Sequence, residues 1–174
     1  MPLIYLRPSQ KTDVPAIMAI LTKAKKLLAA DQIDQWQNGY PNVEQIQADI
    51  QQQISWVLMV NQTIAATAAL MLTPEPTYRD IRQGHWHNSQ PYATIHRIAV
   101  DPQLRGQRLS TILLSNLVTV GLQQQRFNFR VDTHPQNLRM QHVVQQAGFQ
   151  KRGEIKVTDG LRWAYELNLP VIKA

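Results

Sequence analysis

The stretch IHRIAVDPQLRGQRLS, residues 95–110, passes from an apolar run to a polar turn and then to the first residues of an amphipathic segment. The apolar run is typical of a strand in the middle of a sheet, and Pro102 and Gly106 mark the turn. Downstream of the turn, apolar residues recur at three- and four-residue steps, which predicts a helix from about Gly106 to Gln124. The stretch therefore predicts a strand, a turn and a helix in direct succession.

The predicted start of this helix is a candidate anion-binding site. The first backbone N–H groups of a helix have no partner within it, so an anion such as a pyrophosphate gains hydrogen bonds and a favourable dipole there. Gly106 lets the backbone approach a ligand closely, while Arg105 and Arg108 can add positive charge. The same residues also fit a plain polar turn with solvated arginines, and their spacing alone does not decide between the two.

Length and composition limit the class of protein. A chain of 174 residues with 44% hydrophobic content suits one ordinary domain, residues 1–174. The absence of cysteine excludes a disulfide framework, a thiolate metal site and a cysteine nucleophile, and it agrees with a cytoplasmic location. No stretch approaches the roughly 20 apolar residues of a membrane span, and residues 1–9 lack a secretory pattern, so we expect no membrane partner.

The net charge of +6 suits nucleic acid, a membrane surface or a polyanionic small molecule. Its distribution is uneven, because residues 31–60 carry four acids and no lysine or arginine, whereas residues 101–150 carry five arginines. The basic residues are scattered, and no basic aromatic motif of an RNA-recognition sheet is present. We therefore expect no nucleic-acid partner.

Periodicity and turn residues predict alternating helices and strands along the chain. The strand at 92–100, the helix that follows it and a strand at 127–132 form a unit whose two strands run parallel. The loop at 73–91 is rich in proline, and loops of this length are often functional. The other expected elements are strands at 3–7, 55–60 and 63–72, a helix from Thr12 or Asp13, a helix at 43–53, a helix opened by Pro135 and closed by Gly148, and two terminal strands joined by a turn at 158–160.

Two runs resemble conserved segments of the GNAT superfamily of N-acetyltransferases. Residues 96–114 look like its acyl-CoA-binding motif, and residues 132–149, which contain Asn137 and end in Gly-Phe, are similar to its second segment. The element order fits over most of residues 1–169. The resemblance implies an α/β fold of the α+β type, with a mixed, mostly antiparallel sheet of about seven strands, flanking helices, and a cleft between the two central parallel strands. It also implies acetyl-CoA as cosubstrate and direct acetyl transfer to a primary amine of a small-molecule or peptide acceptor, without a covalent enzyme intermediate.

The resemblance also implies which residues hold the cosubstrate. Arg108 stands where the family has a glycine, and Ser110 stands where it has glycine or alanine. If Arg108 has helical backbone angles, its side chain can add a cation beside the phosphates; if the loop needs a positive φ, arginine is costly and binding weakens. We expect the first outcome. The cofactor-binding residues so identified are Ile98, Ala99, Val100, Arg105, Gly106, Gln107, Arg108, Leu109, Ser110, Thr111 and Asn137.

Catalysis in this family rests on positioning, on removal of the amine proton and on polarisation of the thioester carbonyl by a backbone N–H, here near residues 98–100. Val144 occupies the position of a tyrosine that commonly protonates the departing thiolate, so another group, a water molecule or unassisted loss must serve. His96 is the candidate base, because histidine titrates near neutral pH and lies on the central strand. The alternative is a structural histidine in the core. The family often has a bulge in this strand, which would break its alternation.

The family builds its acceptor site from the first helical region and the loop before the central strand. Arg97 lies on that strand and needs a partner, either an internal carboxylate or an anionic group of the substrate. His85 and His87 have no third ligand nearby in the sequence, so we expect no metal site. The candidate acceptor-binding residues are Trp36, Tyr40, Tyr78, Trp86 and Arg97, of which the aromatic ones fit core or loop packing equally well.

Two other functions fit parts of the sequence. A non-catalytic module that binds acyl-CoA would explain a phosphate loop without the tyrosine, and a nucleic-acid-binding protein would explain the positive charge. The sequence also leaves open the acceptor amine and whether the chain forms a homodimer.

Overall fold

The computed structural model describes residues 1–104 and 106–171, and the strands within them form one seven-stranded sheet. The strands are β1 Ile4–Pro8, β2 Ser55–Val60, β3 Thr63–Met71, β4 Ala93–Val100, β5 Asn128–Thr133, β6 Gln150–Val157 and β7 Gly160–Asn168; the helices are α1 Val14–Ala30, α2 Val43–Gln51, α3 Leu109–Gln123 and α4 Leu138–Gln146. In the sheet the strand order is β1-β2-β3-β4-β5-β7-β6. Helices cover both faces, which confirms the expected mixed, mostly antiparallel α/β architecture.

The two central strands, β4 and β5, are the parallel pair of this sheet. Their register contains only two residue pairs, Ala93 opposite Phe129 and Thr94 opposite Arg130. Both strands continue beyond these pairs without further pairing to each other, so the sheet opens at its centre. The divergence confirms the expected cleft between the two parallel strands.

A bulge lies on β4 next to this cleft. Two residues of β4, Arg97 and Ile98, face the single Ala68 of β3, and Arg97 has a left-handed backbone with φ of 55°. A bulge of this kind bends a strand and changes the direction of its side chains. Regular alternation would place His96 and Arg97 on opposite faces, but both contribute to the wall of one cavity.

Each helix pair packs on its own face of the sheet. Successive residues of β2 alternate between the faces, because Val57 and Met59 pack with α1 and α2 while Leu58 packs with α3. Leu113 and Leu117 of α3 are fully buried, and each such side chain contributes about 1.5–3 kcal/mol of transfer free energy. None of the helices among the described residues has the length and apolar character needed to cross a membrane.

The loop at residues 73–91 covers the part of the sheet formed by β5, β7 and β6. Its anchor is the buried Arg130, whose guanidinium lies 4.1 Å from the ring centroid of Trp86 and 3.9 Å from that of Tyr92. The Nε atom of Arg130 also donates to Oε1 of the buried Glu166 at 3.2 Å. Because a buried charge needs a partner, this arrangement fixes the loop against the sheet.

Two helix starts differ from the sequence prediction. Asp13 does not cap α1 through its side chain; its carboxylate instead accepts hydrogen bonds from Arg7 at 2.7 and 3.0 Å. Helix α3 begins at Leu109, three residues later than expected, because Gly106 and Arg108 have left-handed φ angles of 84° and 54°. Left-handed residues interrupt a right-handed helix, so the turn is longer than the prediction allowed.

Candidate active site

A cavity of about 530 Å³ lies where β4 and β5 diverge, a volume typical of a small-molecule site. Ala24, Leu27 and Leu28 of α1 give its wall an apolar part. The other wall residues come from the segment 31–40, from the loop at 73–91, from β4 and β5, from the start of α4 and from the turn between β6 and β7. The cavity thus joins the α1 side of the sheet to the α4 side through the central cleft.

His96 and Asp132 face each other across this cleft. Thr94 pairs with Arg130, and His96 and Asp132 each lie two residues further along their strand, so side-chain alternation directs both the same way. Because the strands have parted there, Nδ1 of His96 and Oδ2 of Asp132 are 4.0 Å apart. The side chains of His96 and Asp132 are 18% and 13% exposed, so solvent screens the charges of a ligand group bound between them only weakly.

Glu75, from the loop at 73–91, contacts the other nitrogen of His96. Its Oε2 atom lies 3.1 Å from His96 Nε2, and its Oε1 atom accepts hydrogen bonds from the hydroxyl and backbone N–H of Thr77 at 3.0 and 3.3 Å. Chiefly because of the hydrogen bond to His96, the pKa of Glu75 falls from its ordinary 4.5 to about 2. Glu75 is therefore ionised throughout the range in which histidine titrates.

Tyr78 supports Asp132 from behind the cavity wall. Its hydroxyl donates to Oδ2 of Asp132 at 2.7 Å, and its side chain is fully buried. Burial, reinforced by the carboxylate of Asp132, raises the pKa of Tyr78 well above 10, so the phenol keeps its proton. The resemblance implied Tyr78 as an acceptor-binding residue. In the structure Tyr78 does not line the cavity; it contacts Asp132, which does.

Arg97 forms an ion pair with a carboxylate inside the protein. Its Nε and Nη2 atoms donate to the two carboxylate oxygens of Asp49 on α2 at 2.7 and 2.9 Å, and its Nη1 atom donates to the hydroxyl of Tyr40 at 2.6 Å. Asp49 is 2% exposed, so the pair is buried. Of the two alternatives for Arg97, the geometry matches the internal carboxylate, and Arg97 and Tyr40 line the cavity as a neutralised unit together with Trp36.

Trp86 does not line this cavity. Its indole N–H donates to the backbone carbonyl of Tyr78 at 2.8 Å, and its ring packs on Arg130, which matches the loop-packing alternative. The backbone N–H of the adjacent His87 donates to Glu166 at 2.7 Å. Within residues 1–104 and 106–171, no group of three or more histidine, aspartate or glutamate side chains is arranged to hold a metal ion.

The carboxylates of the cavity wall fall into two groups. Asp31 and Asp159 each form an ion pair with an arginine, at 3.1 and 2.6 Å. Among the residues that the structure describes, Glu75 and Asp132 have no arginine or lysine partner, and His96 lies between them. Two carboxylates outweigh one imidazole, so the wall around His96 is negative whether or not the imidazole is protonated, which favours a cationic ligand.

The loop expected to bind phosphate has an open, exposed backbone. The first helical hydrogen bond of α3 runs from the N–H of Ile112 to the carbonyl of Arg108 at 3.1 Å, so the N–H groups of residues 109–111 point out of the helix end. A side-chain carbon added to Gly106 would meet no heavy atom of the described residues within 4 Å. These features fit an anionic group. Arg105 lies outside the described residues.

The backbone of Arg108 corrects one expectation. We expected helical angles, but its φ of 54° and ψ of 27° are left-handed. A side chain in this conformation clashes with its own carbonyl, which costs about 1 kcal/mol relative to glycine. The position thus retains the backbone shape that suits a glycine, and the arginine fills it at a cost in stability.

Replacing Arg108 with glycine should therefore raise the free energy of unfolding of the unliganded protein by about 0.5–1 kcal/mol. Urea denaturation followed by circular dichroism measures this change. Gln107→Gly is the matched control, because Gln107 lies in the same exposed loop without a positive φ and should lose stability on the same substitution. Equal effects of the two substitutions would contradict the strain at Arg108.

Asn137 and Val144 hold two different places in α4. Asn137 caps the helix by accepting a hydrogen bond from the N–H of Met140 at 3.1 Å, and its Nδ2 atom donates to Gln35 at 3.1 Å, so it lies in the cavity wall. Val144 is completely buried in the hydrophobic core. A polar leaving group therefore meets no proton donor from the side chain at position 144.

Sequence reasoning did not single out Glu75 or Asp132. Glu75 stands between two prolines in a loop without periodicity, so no pattern predicted where its side chain would point. Asp132 is recognisable only from the observed register, in which Ala93 lies opposite Phe129, so that His96 and Asp132 lie at the same level.

Comparison with known proteins finds relatives that match most of the chain. The model of the acetyltransferase (GNAT) family matches residues 21–149. A structure described as an acetyltransferase of the GNAT family from Streptococcus agalactiae is 32% identical, with a TM-score of 0.90, and the match covers 97% of this chain and 96% of that one. A search of curated protein sequences gives no significant match.

More distant structures share the fold. A GNAT-family acetyltransferase from Listeria monocytogenes is 19% identical with a TM-score of 0.73, and 95% of each chain is covered. The aminoglycoside acetyltransferase AAC(6')-Ib, in complex with coenzyme A and kanamycin, is also 19% identical, with a TM-score of 0.69 and 95% of each chain covered.

Proposed function

Because this chain belongs to the acetyltransferase (GNAT) family, we propose that it transfers the acetyl group of acetyl-CoA to a primary amine of a small-molecule or peptide acceptor. Acetyl transfer with acetyl-CoA as cosubstrate follows from the family. The choice of a cationic amine as acceptor rests on one observation, the pair of carboxylates without an arginine or lysine partner among the described residues, on either side of His96 at the central cleft.

The proposed cosubstrate site runs along β4 and the start of α3. Backbone N–H groups near residues 98–100 polarise the thioester carbonyl, and residues 105–111 take the pyrophosphate at the helix end. The open backbone at Gly106 and the outward N–H groups of residues 109–111 support this placement. Asn137, in the wall between α4 and the segment 31–40, borders the path of the pantetheine arm.

The proposed chemistry begins with His96 taking a proton from the acceptor's ammonium group. The nitrogen lone pair then attacks the thioester carbonyl carbon, the C–S bond breaks, and the electron pair leaves with sulfur. The thiolate takes up a proton from the new amide nitrogen, and His96 returns its proton to solvent. The balanced products are an N-acetylated amine, coenzyme A and one proton.

A screen of acceptor classes tests this proposal. Purified protein is incubated with acetyl-CoA and polyamines, amino acids, aminoglycosides or peptides with free amino termini, and thiol release is followed with a chromogenic reagent. We expect release above the acceptor-free rate with at least one cationic amine and an acetylated product of the matching mass. Binding of acetyl-CoA with no amine-dependent release in any class would instead support a non-catalytic acyl-CoA-binding module.

A further inference from the structure

Two carboxylates, Glu75 and Asp132, flank the imidazole of His96 at the central cleft. We propose that Glu75 fixes the tautomer of His96, so that Nδ1 is the proton acceptor, and that Asp132 holds the acceptor's ammonium group beside that nitrogen. This inference rests on the proposed acetyl transfer to an amine and adds two positioning residues to it.

The contact with Glu75 selects the tautomer. A carboxylate only accepts hydrogen bonds, so Oε2 of Glu75, at 3.1 Å, requires a proton on Nε2 of His96. In neutral histidine, the lone pair then lies on Nδ1. Thr77 binds the other carboxylate oxygen through two hydrogen bonds, and the hydroxyl of Tyr92 accepts from the backbone N–H of Glu75 at 3.0 Å. Glu75 is thus held in place before any ligand arrives.

The gap on the other side of the imidazole suits an ammonium group. A separation of 4.0 Å between Nδ1 of His96 and Oδ2 of Asp132 is too long for a direct hydrogen bond, so neither atom satisfies the other. A primary ammonium group has three N–H donors and can direct one to Nδ1 and another to Asp132. Tyr78, which donates to Asp132 at 2.7 Å, holds the carboxylate in this orientation.

Charged and titratable groups approach His96 from three elements. The loop contributes Glu75 and the protonated Tyr78, β5 contributes Asp132, and β4 itself contributes Arg97, whose charge is matched by the buried Asp49. His96 therefore meets two carboxylates and no unmatched cation among the described residues. An imidazolium formed by proton transfer can donate Nε2–H to Glu75 and Nδ1–H towards Asp132.

The proton transfer is balanced within this set. One N–H bond of the ammonium group breaks, its electron pair stays on nitrogen for attack on the thioester, and the proton forms a bond with Nδ1. The carboxylate of Asp132, 4.0 Å from Nδ1, then compensates the positive charge of the imidazolium. No oxidant, metal or further reactant takes part.

Histidine-ring nitrogen NMR tests the tautomer without any assay of activity. In ¹⁵N-labelled protein at a pH where imidazole rings are neutral, we expect the pattern of a ring protonated on Nε2, identified by its loss in His96→Gln. Glu75→Leu should shift the ring to a mixture of tautomers, while Asp80→Asn, which removes an exposed carboxylate from the same loop, should leave the pattern unchanged. A wild-type ring protonated on Nδ1 would overturn the proposal.

Steady-state kinetics separate the two carboxylates. For an amine that the wild type acetylates, we expect Asp132→Asn to raise KM for the amine by about 10- to 100-fold, since it removes a charge-assisted hydrogen bond. Glu75→Leu should lower kcat by about 10- to 100-fold with a smaller change in KM. Glu75→Gln, which keeps the side-chain shape and an acceptor oxygen, should recover part of that loss.

The outcomes distinguish the proposed roles of Glu75 and Asp132 from the proposed acetyl transfer on which they rest. If no amine is acetylated by the wild type, the proposed function fails, and the NMR result still decides the role of Glu75. If amines are acetylated and both carboxylate variants behave like Asp80→Asn, the proposed roles of Glu75 and Asp132 are wrong although the enzyme is an amine acetyltransferase. Circular dichroism and acetyl-CoA binding show whether each variant is folded.

Discussion

Replacing His96 with glutamine is expected to lower kcat/KM for acetyl transfer by about 10²- to 10⁴-fold, while acetyl-CoA binding persists. The glutamine amide can still donate a hydrogen bond to Glu75, so the loop should stay in place. It has no group that takes up a proton near neutral pH, so only the base is lost. Stopped-assay kinetics and isothermal titration with acetyl-CoA measure the two effects separately.

The pH dependence gives the sharper test of His96. If His96 is the base, kcat/KM of the wild type falls on the acidic side as the imidazole becomes protonated, and this limb disappears in His96→Gln. If the amine instead loses its proton to water before binding, the limb follows the pKa of the substrate and survives the substitution. Near-wild-type turnover of a folded His96→Gln would leave an ordered water held by backbone carbonyls as the proton acceptor.

Val144→Ala is the matched control for this experiment. Val144 is fully buried and has no acidic proton, so its truncation should reduce stability by roughly 1–3 kcal/mol through the cavity it leaves. The pH profile should be unchanged, because neither Glu75, His96 nor Asp132 is altered. A changed acidic limb in this variant would mean that packing, and not the base, sets the profile.

The sequence predicted the two central strands because its elements carry strong local signals, and the resemblance implied the cleft between them. Apolar periodicity identified the strand at 92–100 and the helix after it, and the crossover rule made the next strand parallel. From the observed register, the distance of two residues from Thr94 to His96 and from Arg130 to Asp132 is enough to set the last two opposite each other. The register itself came from the structure, so the sequence predicted the two strands but not the placement of Asp132 opposite His96.

Other features depend on tertiary contacts that no local pattern encodes. The side chain of Glu75 reaches His96 because Tyr78 and Trp86 pack the loop onto the sheet and Arg130 anchors it. We predicted the last strand after the turn at 158–160, but no pattern indicated that its Glu166 is buried beneath this loop. A loop that covers a sheet face makes polar residues internal, and the sequence alone gives no sign of it.

The backbone at Arg108 was missed for a different reason. Arginine has a good helix propensity, so a helical conformation is the expected one for it next to a predicted helix. The turn before α3 nevertheless holds Arg108 at left-handed angles, against this local preference. Such conflicts between local preference and structure are frequent at functional loops, which agrees with a phosphate-binding role here.

Acetyl-CoA is expected to stabilise the protein by about 2.7 kcal/mol at one hundred times its dissociation constant, because a ligand that binds only the folded state shifts the unfolding equilibrium. For a chain of this length, the thermal midpoint should rise by roughly 5–10 °C. Pantetheine without phosphate groups, tested at the same concentration, should give a much smaller rise, since the proposed site at residues 105–111 recognises the pyrophosphate.

Two substitutions at Gly106 separate charge from backbone strain at this loop. Both Gly106→Ala and Gly106→Glu put a side chain at a φ of 84°, where no heavy atom of the described residues lies within 4 Å of its first carbon, so their effects on the unliganded protein should be similar. Only the glutamate places a negative charge beside the phosphates, and it should abolish most of the acetyl-CoA-dependent rise, whereas alanine should keep the larger part of it. Differential scanning fluorimetry across an acetyl-CoA titration measures both variants. Two results would contradict this placement of the pyrophosphate: equal stabilisation by acetyl-CoA and pantetheine, or a rise of the thermal midpoint in Gly106→Glu as large as in the wild type. Either would mean that the pyrophosphate lies too far from residue 106 to be repelled by a negative charge there.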